Sequence, residues 1–258
     1  MESNEAAIHR LVDDILAYIF FLNATVADPD GREHATTVAS SQVCTRWRSI
    51  ALHRHTIWGP IIDYSRHSLK WIETLLDRSH SSSLDFGSRT APIMVNRLKD
   101  GGQGVLELVF NHIDRLRTFN LKVSDSCWGL FLELPAPHLE FVKISIVRSA
   151  VWMVDPIFNH HAPNLQNLQL HRCTVDFTSP TLTRLTELYV WDICESISAP
   201  TVLSWLNILG CHPSDGSLST VLLQFPRRTL FVQSSNFLRW KCCLYMMDFG
   251  RFLQWSNT

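Results

Sequence analysis

One apolar spacing recurs five times between residues 116 and 223, and it constrains the fold of this chain more than any other feature. The first leucines of the copies lie 23, 26, 20 and 33 residues apart. No single copy could bury its own apolar face, so we expect each to form a strand that is stabilised by stacking on its neighbours. The five copies are Leu116-x-x-Phe119-x-Leu121, Leu139-x-x-Val142-x-Ile144, Leu165-x-x-Leu168-x-Leu170, Leu185-x-x-Leu188-x-Val190 and Leu218-x-x-Val221-x-Leu223.

The segments between the copies are typical of the return paths of a repeat protein. VLELVFNHI, WGLFLEL and VWMVDPIF predict helices or 3₁₀ turns, and prolines mark the corners at 135–138 and 162–164. Cys173 lies three residues after Leu170, and with it the third copy resembles a leucine-rich repeat. The resemblance implies an irregular α/β solenoid over residues 91–225, with an unrelated α/β domain as the alternative. Residues 226–258 have no further copy and no polar cap, which predicts an irregular tail, an imperfect cap or a truncated array.

Two apolar stripes at helical spacing lie near the start of the chain, in IHRLVDDILAYIF and in VASSQVCTRWRSIA. Ile57 and Trp58 close this region as a short third turn. The polar segment NATVADPDGREHAT between the stripes predicts an exposed loop at about residues 24–36. Three short helices bury little surface by themselves, so we expect part of their apolar face to dock on something else.

The segments LVDDILAYIF and QVCTRWRSIALHRHTIW resemble the F-box of large fungal protein families, which reads roughly LPxEILxxIF and VCRRWRxIAxxxxxLW. Val12 stands where the family usually has proline. The resemblance implies a three-helix F-box over residues 1–62 that binds the Skp-type adaptor subunit of a cullin–RING ubiquitin ligase. We expect Arg46 and Arg48 to form a polar rim. The candidate adaptor-binding residues are Leu11, Val12, Ile15, Leu16, Ile19, Val43, Cys44, Trp47, Ile50, Ala51 and Trp58.

The segment 63–90 is predicted to join the two regions. SLKWIETLLDR, residues 68–78, has leucine and isoleucine on one face and predicts a helix, and SLDF, residues 83–86, predicts a short strand. KDGGQG, residues 99–104, predicts a loop. The fold class expected for the whole chain is therefore α+β, a three-helix F-box followed by an irregular α/β solenoid that resembles leucine-rich repeats.

Composition disfavours several classes of partner. The net charge is −1, with 23 basic and 24 acidic residues and no long run of either sign, so we expect no nucleic-acid partner. The start of the chain is acidic, and its longest apolar run has eight residues, which predicts neither a secretory signal nor a membrane span. Seven cysteines without CxxC spacing favour reduced thiols in the cytoplasm or the nucleus.

No catalytic motif is recognisable, so we expect no enzyme, no cofactor and no metal. His53, His55, the pair 160–161 and His171 are expected to be ordinary surface residues. Trp191 follows a predicted strand position and is a weak candidate for contact with a substrate. The predicted function is a substrate-recognition adaptor of an SCF-type ligase whose repeats bind an unknown protein substrate. A stand-alone repeat scaffold without ligase association is the alternative.

Overall fold

The computed structural model describes residues 10–25, 33–95, 98, 102–123, 133–147, 151–152, 157–175, 179–191, 220–225, 228–233, 246–248 and 251–253. The chain is a mixed α/β protein with a mostly parallel sheet. It divides into two compact units, which we call the helical unit, Met1–Asp85, and the sheet unit, Phe86–Thr258. This boundary falls within the segment 63–90 that the sequence predicts to join two regions.

The helical unit contains four described α-helices and one 3₁₀ turn. The turn, His55–Ile57, follows the third helix directly. The helices are α1, Asp13–Thr25; α2, Glu33–Ser40; α3, Thr45–His53; and α4, Leu69–Ser79.

The second predicted helix is in fact two, α2 and α3, and this part of the expectation was wrong. The Cys44 thiol accepts a hydrogen bond from the Trp47 amide at 3.5 Å and caps the start of α3, so the chain must leave helical geometry before that residue. The predicted loop at 24–36 is also shorter than expected, because α1 reaches Thr25 and α2 begins at Glu33. Residues 26–32 lie outside the described part of the chain.

Trp58 is one of the largest fully buried side chains of the helical unit. Its indole N–H donates to the carbonyl of Ala51 at 2.9 Å, which satisfies the one polar group of the side chain. The guanidinium of Arg78 lies 4.7 Å from the Trp58 ring. Burial, with a smaller contribution from Arg48, lowers the pKa of Arg78.

Helix α4 confirms the helix predicted at 68–78. Ser68 caps it by accepting from the Trp71 amide at 3.4 Å, and Ile72, Leu75 and Leu76 are buried on one face. The strand predicted at 83–86 is also present, with Leu84 and Phe86 buried and Asp85 exposed.

The sheet unit is organised around one sheet in which eight described strands take part. From β2 to β9 the pairings are parallel, and β10 is antiparallel to β9. The strand order is β1-β3-β4-β6-β8-β9-β10, with β2 beside β3. Its strands are β1, Leu84–Phe86; β2, Ile93–Met94; β3, Leu116–Val123; β4, Phe141–Ile146; β6, Asn167–His171; β8, Glu187–Trp191; β9, Thr220–Phe225; and β10, Arg228–Gln233.

The second and third apolar positions of all five copies lie on strands of this sheet, and the strands pair so that equivalent positions are neighbours. Leu218, the first position of the fifth copy, lies outside the described residues. In the first four copies every repeated apolar residue is at most 3% exposed. We call these buried residues the apolar ladder. One rung is Phe119, Val142, Leu168 and Leu188, and the next is Leu121, Ile144, Leu170 and Val190. In the pairing register Val221 and Leu223 of β9 follow Leu188 and Val190.

The same turn precedes each of the first four copies. The amide of the first leucine donates to the carbonyl three residues earlier: Leu116 to Ile113, Leu139 to Ala136, Leu165 to Ala162 and Leu185 to Leu182. Successive copies are also joined at the next position, where Glu140 donates to Arg117 at 2.9 Å and Thr186 donates to Gln166 at 2.8 Å. The repetition therefore includes the corners as well as the strands.

The connections between the strands differ from expectation in two places. Helix α5, Gln103–Phe110, begins at Gly102, whose φ of 79° needs a glycine, so Gln103 and Gly104 are helical and not in a loop. Val151–Trp152 is a strand, β5, which pairs with β7, Cys173–Thr174, because β-branched and aromatic residues favour extended backbone. The described 3₁₀ helices are Ile113–Arg115, Ile157–His160 and Pro180–Arg184.

The last part of the chain, expected to be an irregular tail or an imperfect cap, contains regular structure. Strand β10 lies beside the fifth copy, and β11, Met246–Asp248, pairs with β12, Arg251–Leu253. The antiparallel strand ends the parallel series, since a strand that returns directly beside its neighbour must run the opposite way.

Candidate docking surface

Helix α1 is apolar on nearly all sides, and only about half of it is buried. Leu16, Ala17, Phe20 and Ala24 form the buried side. The opposite side carries large apolar side chains that are exposed, and Val43 is exposed in the turn before α3. We call these residues the α1 face: Val12, Ile15, Tyr18, Ile19, Phe21, Leu22 and Val43.

The α1 face holds most of the exposed large apolar residues in the described part of the chain. Val12 is 64% exposed, Val43 60% and Tyr18 57%. Among the described residues the remaining large apolar side chains that are exposed are Leu134, at 41%, and Val147, at 43%. Both of these belong to the sheet unit. A contiguous apolar patch of this kind is typical of a surface that binds another protein.

Two ion pairs hold α1 against α3 beside this face. Arg46 donates to one carboxylate oxygen of Asp13, with N–O distances of 2.6 and 2.9 Å, and also to the carbonyl of Leu11. Arg54 donates to the carboxylate of Asp14. Val43 is three residues before Arg46, so the same contacts fix the turn that presents Val43 near the start of α1.

Helix α1 starts immediately after Val12. The carbonyl of Val12 accepts from the amides of Ile15 and Leu16, at 3.1 and 3.2 Å, which makes Val12 the residue that precedes the helix. Asp13 and Asp14 occupy the first turn, where negative charge is favoured by the helix dipole.

The structure separates the predicted docking residues into three groups. Val12, Ile15, Ile19 and Val43 are exposed on the α1 face. Leu11, Cys44 and Trp47 are half-buried, and the Trp47 ring lies 5.3 Å from Phe20. The other four residues are buried and support the face from beneath: Leu16, Ile50, Ala51 and Trp58.

Three residues of the α1 face were missed by the sequence prediction, namely Tyr18, Phe21 and Leu22. The signal was present, because these residues continue the apolar character of α1 around the helix from the predicted stripe. A helix that is apolar on all sides has no periodic contrast, so the spacing could not separate the exposed half from the buried half. Of the predicted rim residues, Arg48 is exposed and Arg46 is half-buried.

Trp191, the weak candidate in the repeat region, is the last residue of β8 and is half-buried. Its neighbour Val190 belongs to the apolar ladder, and consecutive residues of a strand point to opposite faces, so Trp191 lies on the other face of the sheet. Tyr189 is on that face too. Burial, then the charge of Glu187, raises the pKa of Tyr189.

The histidines expected to be surface residues differ in their exposure and in the groups that they contact. His53 is exposed and its Nδ1 lies 2.7 Å from the carbonyl of Ser49, and the rings of His55 and His80 are 4.1 Å apart. His160 and His161 are exposed, and Nδ1 of His160 is 3.1 Å from the Ser179 hydroxyl. His171 is half-buried beside Trp191.

The described residues show neither a metal site nor a membrane-spanning helix. Those residues include no cluster of three histidine, cysteine, aspartate or glutamate side chains that could hold a metal ion. None of the described helices is both long and apolar enough to cross a membrane.

Comparison with known proteins gives no relative. The chain matches no known protein family, no curated protein and no solved structure.

Proposed function

We propose that this chain is the substrate-recognition subunit of an SCF-type cullin–RING ubiquitin ligase. The helical unit would bind the Skp-type adaptor subunit through the α1 face, and the sheet unit would hold a protein substrate. The observation that carries the proposal is the exposed apolar half of α1. A helix that is apolar all round is normally buried, and here half of it has no cover from the described part of the chain.

The apolar character of the α1 face favours a protein partner. Val12, Ile15, Ile19 and Leu22 recur at spacings of three and four residues along one side of α1, which is the pattern by which helices anchor in grooves and in other helices. Completely burying one such aliphatic side chain contributes roughly 1.5–3 kcal/mol. Tyr18 and Phe21 add aromatic area next to this stripe, and tyrosine is enriched among the residues that dominate binding energy.

The rim of the face is suited to an interface that forms and dissociates. The Asp13–Arg46 and Asp14–Arg54 pairs lie at the edge of the apolar residues, and their side chains remain partly exposed. An apolar centre with a polar, accessible rim is the common anatomy of protein interfaces.

The F-box resemblance and the helical unit are compatible. LVDDILAYIF coincides with the start of α1, TRWRSIALH is α3, and the following HTI is the 3₁₀ turn. The departures from the family pattern are Val12 in place of proline and the separate helix α2. Likewise, the apolar ladder and its repeated corners support a solenoid of leucine-rich-repeat type as the substrate-binding part.

An adaptor of this kind needs no catalytic residue of its own. By holding a substrate in an assembly that also carries a conjugating enzyme, it raises the effective concentration of the substrate lysine near the reactive thioester. Specificity would then depend on the sheet unit and ligase association on the helical unit.

The test is a binding titration of the purified full chain with a purified fungal Skp-type adaptor. We expect Val12→Asp with Leu22→Asp to weaken binding by about a hundredfold or more. Two carboxylates would be desolvated in the interface without an ion pair or hydrogen bond to compensate. The matched control is Val147→Asp with Leu134→Asp, the same substitutions at similarly exposed positions of the sheet unit. The control should bind like the unaltered chain.

Failure of the unaltered chain to bind the adaptor would contradict the proposal. Equal binding by both double variants would contradict the assignment of the α1 face. The alternative, a stand-alone repeat scaffold, predicts no adaptor binding together with intact binding of proteins by the sheet unit.

A further inference from the structure

The face of the sheet opposite the apolar ladder carries polar, charged and aromatic side chains. On β3, β4, β6 and β8 these outward residues form three rows across the strands. The rows are Thr118, Phe141, Asn167 and Glu187; Asn120, Lys143, Gln169 and Tyr189; and Lys122, Ser145, His171 and Trp191.

A loop of the sheet unit covers one corner of this face. The Asn120 side-chain amide donates to the carbonyl of Ser88 at 2.6 Å, and the guanidinium of Arg89 lies 5.5 Å from the Phe141 ring. Gly87 has a φ of 79°, and a Cβ there would lie 2.7 Å from the carbonyl oxygen of Asn120. Asn120 and Phe141 are consequently buried.

Thr118, Ser145 and Asn167 on the same face are buried as well, and the remaining residues of the three rows are half-buried. Glu187, at the edge of the first row, is half-buried and accepts from Asn167, and the six other half-buried residues all belong to the second and third rows. We call them the Trp191 face: Lys122, Lys143, Gln169, His171, Tyr189 and Trp191.

Aromatic rings and a cation converge at Trp191. The centroid of its ring is 6.4 Å from that of His171 and 6.0 Å from that of Tyr189. The ammonium of Lys143 lies 5.5 Å from the Trp191 ring. Lys143 is on β4, and β6 lies between that strand and β8, which carries Trp191. Tryptophan and tyrosine held in place by such contacts are the side chains that most often dominate a protein interface.

The charges of this face favour an acidic partner. Lys122 and Lys143 are its two lysines, and the one carboxylate among the outward residues in those three rows, Glu187, accepts from the Asn167 side-chain amide. The chain as a whole is slightly acidic, with a net charge of −1, so this local excess of positive charge is not a general property of its surface.

We propose that the Trp191 face binds an extended acidic segment of a partner protein. Carboxylates of the segment would lie against Lys122 and Lys143, and an aromatic or aliphatic side chain would lie against Trp191 and Tyr189. The two lysines are on neighbouring strands and two residues apart in register, a separation matched by alternate residues of an extended peptide, which are about 7 Å apart. That the partner is a ubiquitination substrate rests on the proposed function; the binding itself does not.

The test uses fluorescein-labelled peptides of twelve residues in a Ser/Gly background, with the full chain titrated at low salt and anisotropy measured. The acidic probe has three glutamates at alternate positions followed by one phenylalanine. One matched probe has glutamine for glutamate, and a second has serine for phenylalanine. We expect each matched probe to bind about tenfold more weakly, since each lacks one of the two kinds of contact.

Two variants connect the probe to the face. Lys143→Glu should weaken binding of the acidic probe by about tenfold or more, whereas Lys70→Glu, an exposed lysine of α4, should leave it unchanged. Trp191→Ala should weaken the acidic probe by a similar factor and reduce the preference for phenylalanine over serine. Circular dichroism melts check that each variant is folded.

Equal binding of the acidic and glutamine probes would overturn the proposal, as would equal effects of Lys143→Glu and Lys70→Glu or no binding of any probe. The α1-face variant Val12→Asp with Leu22→Asp should still bind the acidic probe. An unaltered chain that binds the acidic probe but not the adaptor would contradict the ligase proposal alone, and an unaltered chain that binds the adaptor but not the acidic probe would contradict only this inference.

Discussion

The apolar ladder of the sheet unit and helix α1 of the helical unit are built from the same kinds of residue, yet they differ in solvent exposure. In the first four copies the ladder is at most 3% exposed, whereas the α1 face includes Val12 at 64%. The ladder shows that this chain can seal long rows of aliphatic side chains through strand pairing and repeated turns. The exposure of α1 is therefore a specific feature, and it identifies the surface that lacks a partner within the described chain.

The largest effect on stability should come from a substitution in the apolar ladder. Leu168→Ala removes a fully buried side chain that lies between Val142 and Leu188 in its rung of the ladder, and should lower the free energy of unfolding by about 3 kcal/mol. Ile15→Ala, on the α1 face, should change it by less than about 0.5 kcal/mol. Urea unfolding followed by circular dichroism measures both values. Similar losses of unfolding free energy for the two variants would contradict the distinction between the buried apolar ladder and the exposed α1 face.

A smaller effect on stability should come from Cys173, a buried residue of β7. Burial raises the pKa of Cys173 to about 12 from its ordinary value of 9.0. Above pH 9 the unfolded chain would release a proton that the folded chain keeps, so this thiol makes stability fall as pH rises from about 9 to 12, by up to about 1.4 kcal/mol per pH unit. Unfolding free energies measured from pH 8 to pH 10.5 should decline less steeply in Cys173→Ala than in the unaltered chain.

The same comparison can be sharpened by thiol labelling at pH 8. Cys173 is buried and its thiol lies 3.8 Å from the carbonyl of Ile144, whereas Cys44 is half-buried at the start of α3. We expect Cys44 to react with a maleimide much faster than Cys173 in the folded chain, and mass spectrometry of digests reports both. Equal rates would indicate that the sheet unit around Cys173 opens as readily as the helical unit around Cys44.

The smallest effect should come from the rim of the α1 face. Arg46→Met removes the pair with Asp13, and should cost about 0.5–1 kcal/mol of stability at low salt, since both side chains are partly exposed. The loss should shrink in 1 M NaCl, where such pairs are screened. A double-mutant cycle with Asp13→Asn isolates the pair, and a coupling energy near zero at low salt would show that Arg46 acts only through the Leu11 carbonyl.

The sheet was more predictable from the sequence than the helical unit. The spacing of Leu165, Leu168 and Leu170 and its equivalents predicted five strands, because a buried row needs apolar residues at fixed intervals, and the pairing register follows the same intervals. Helix α4 was predicted for a similar reason, since Ile72, Leu75 and Leu76 contrast with polar neighbours.

The division between α2 and α3 could not be predicted, because a cysteine is not among the residues that usually cap a helix. The exposed side of α1 could not be predicted from the sequence for a different reason. Apolar residues surround this helix, so the identity of the buried side depends on which neighbours pack against it. The cover over Asn120 and Phe141 depends on a loop, 87–91, that is distant in the sequence from both residues.

The most direct measurement of the central claim is hydroxyl-radical footprinting of the full chain with and without the Skp-type adaptor. Oxidation of Tyr18 and Phe21 should fall several-fold on adding the adaptor, because both side chains belong to the α1 face, while oxidation of Tyr189 and Trp191 should not change. Unchanged oxidation of Tyr18 and Phe21 at saturating adaptor would contradict the claim that the apolar half of α1 is the docking surface.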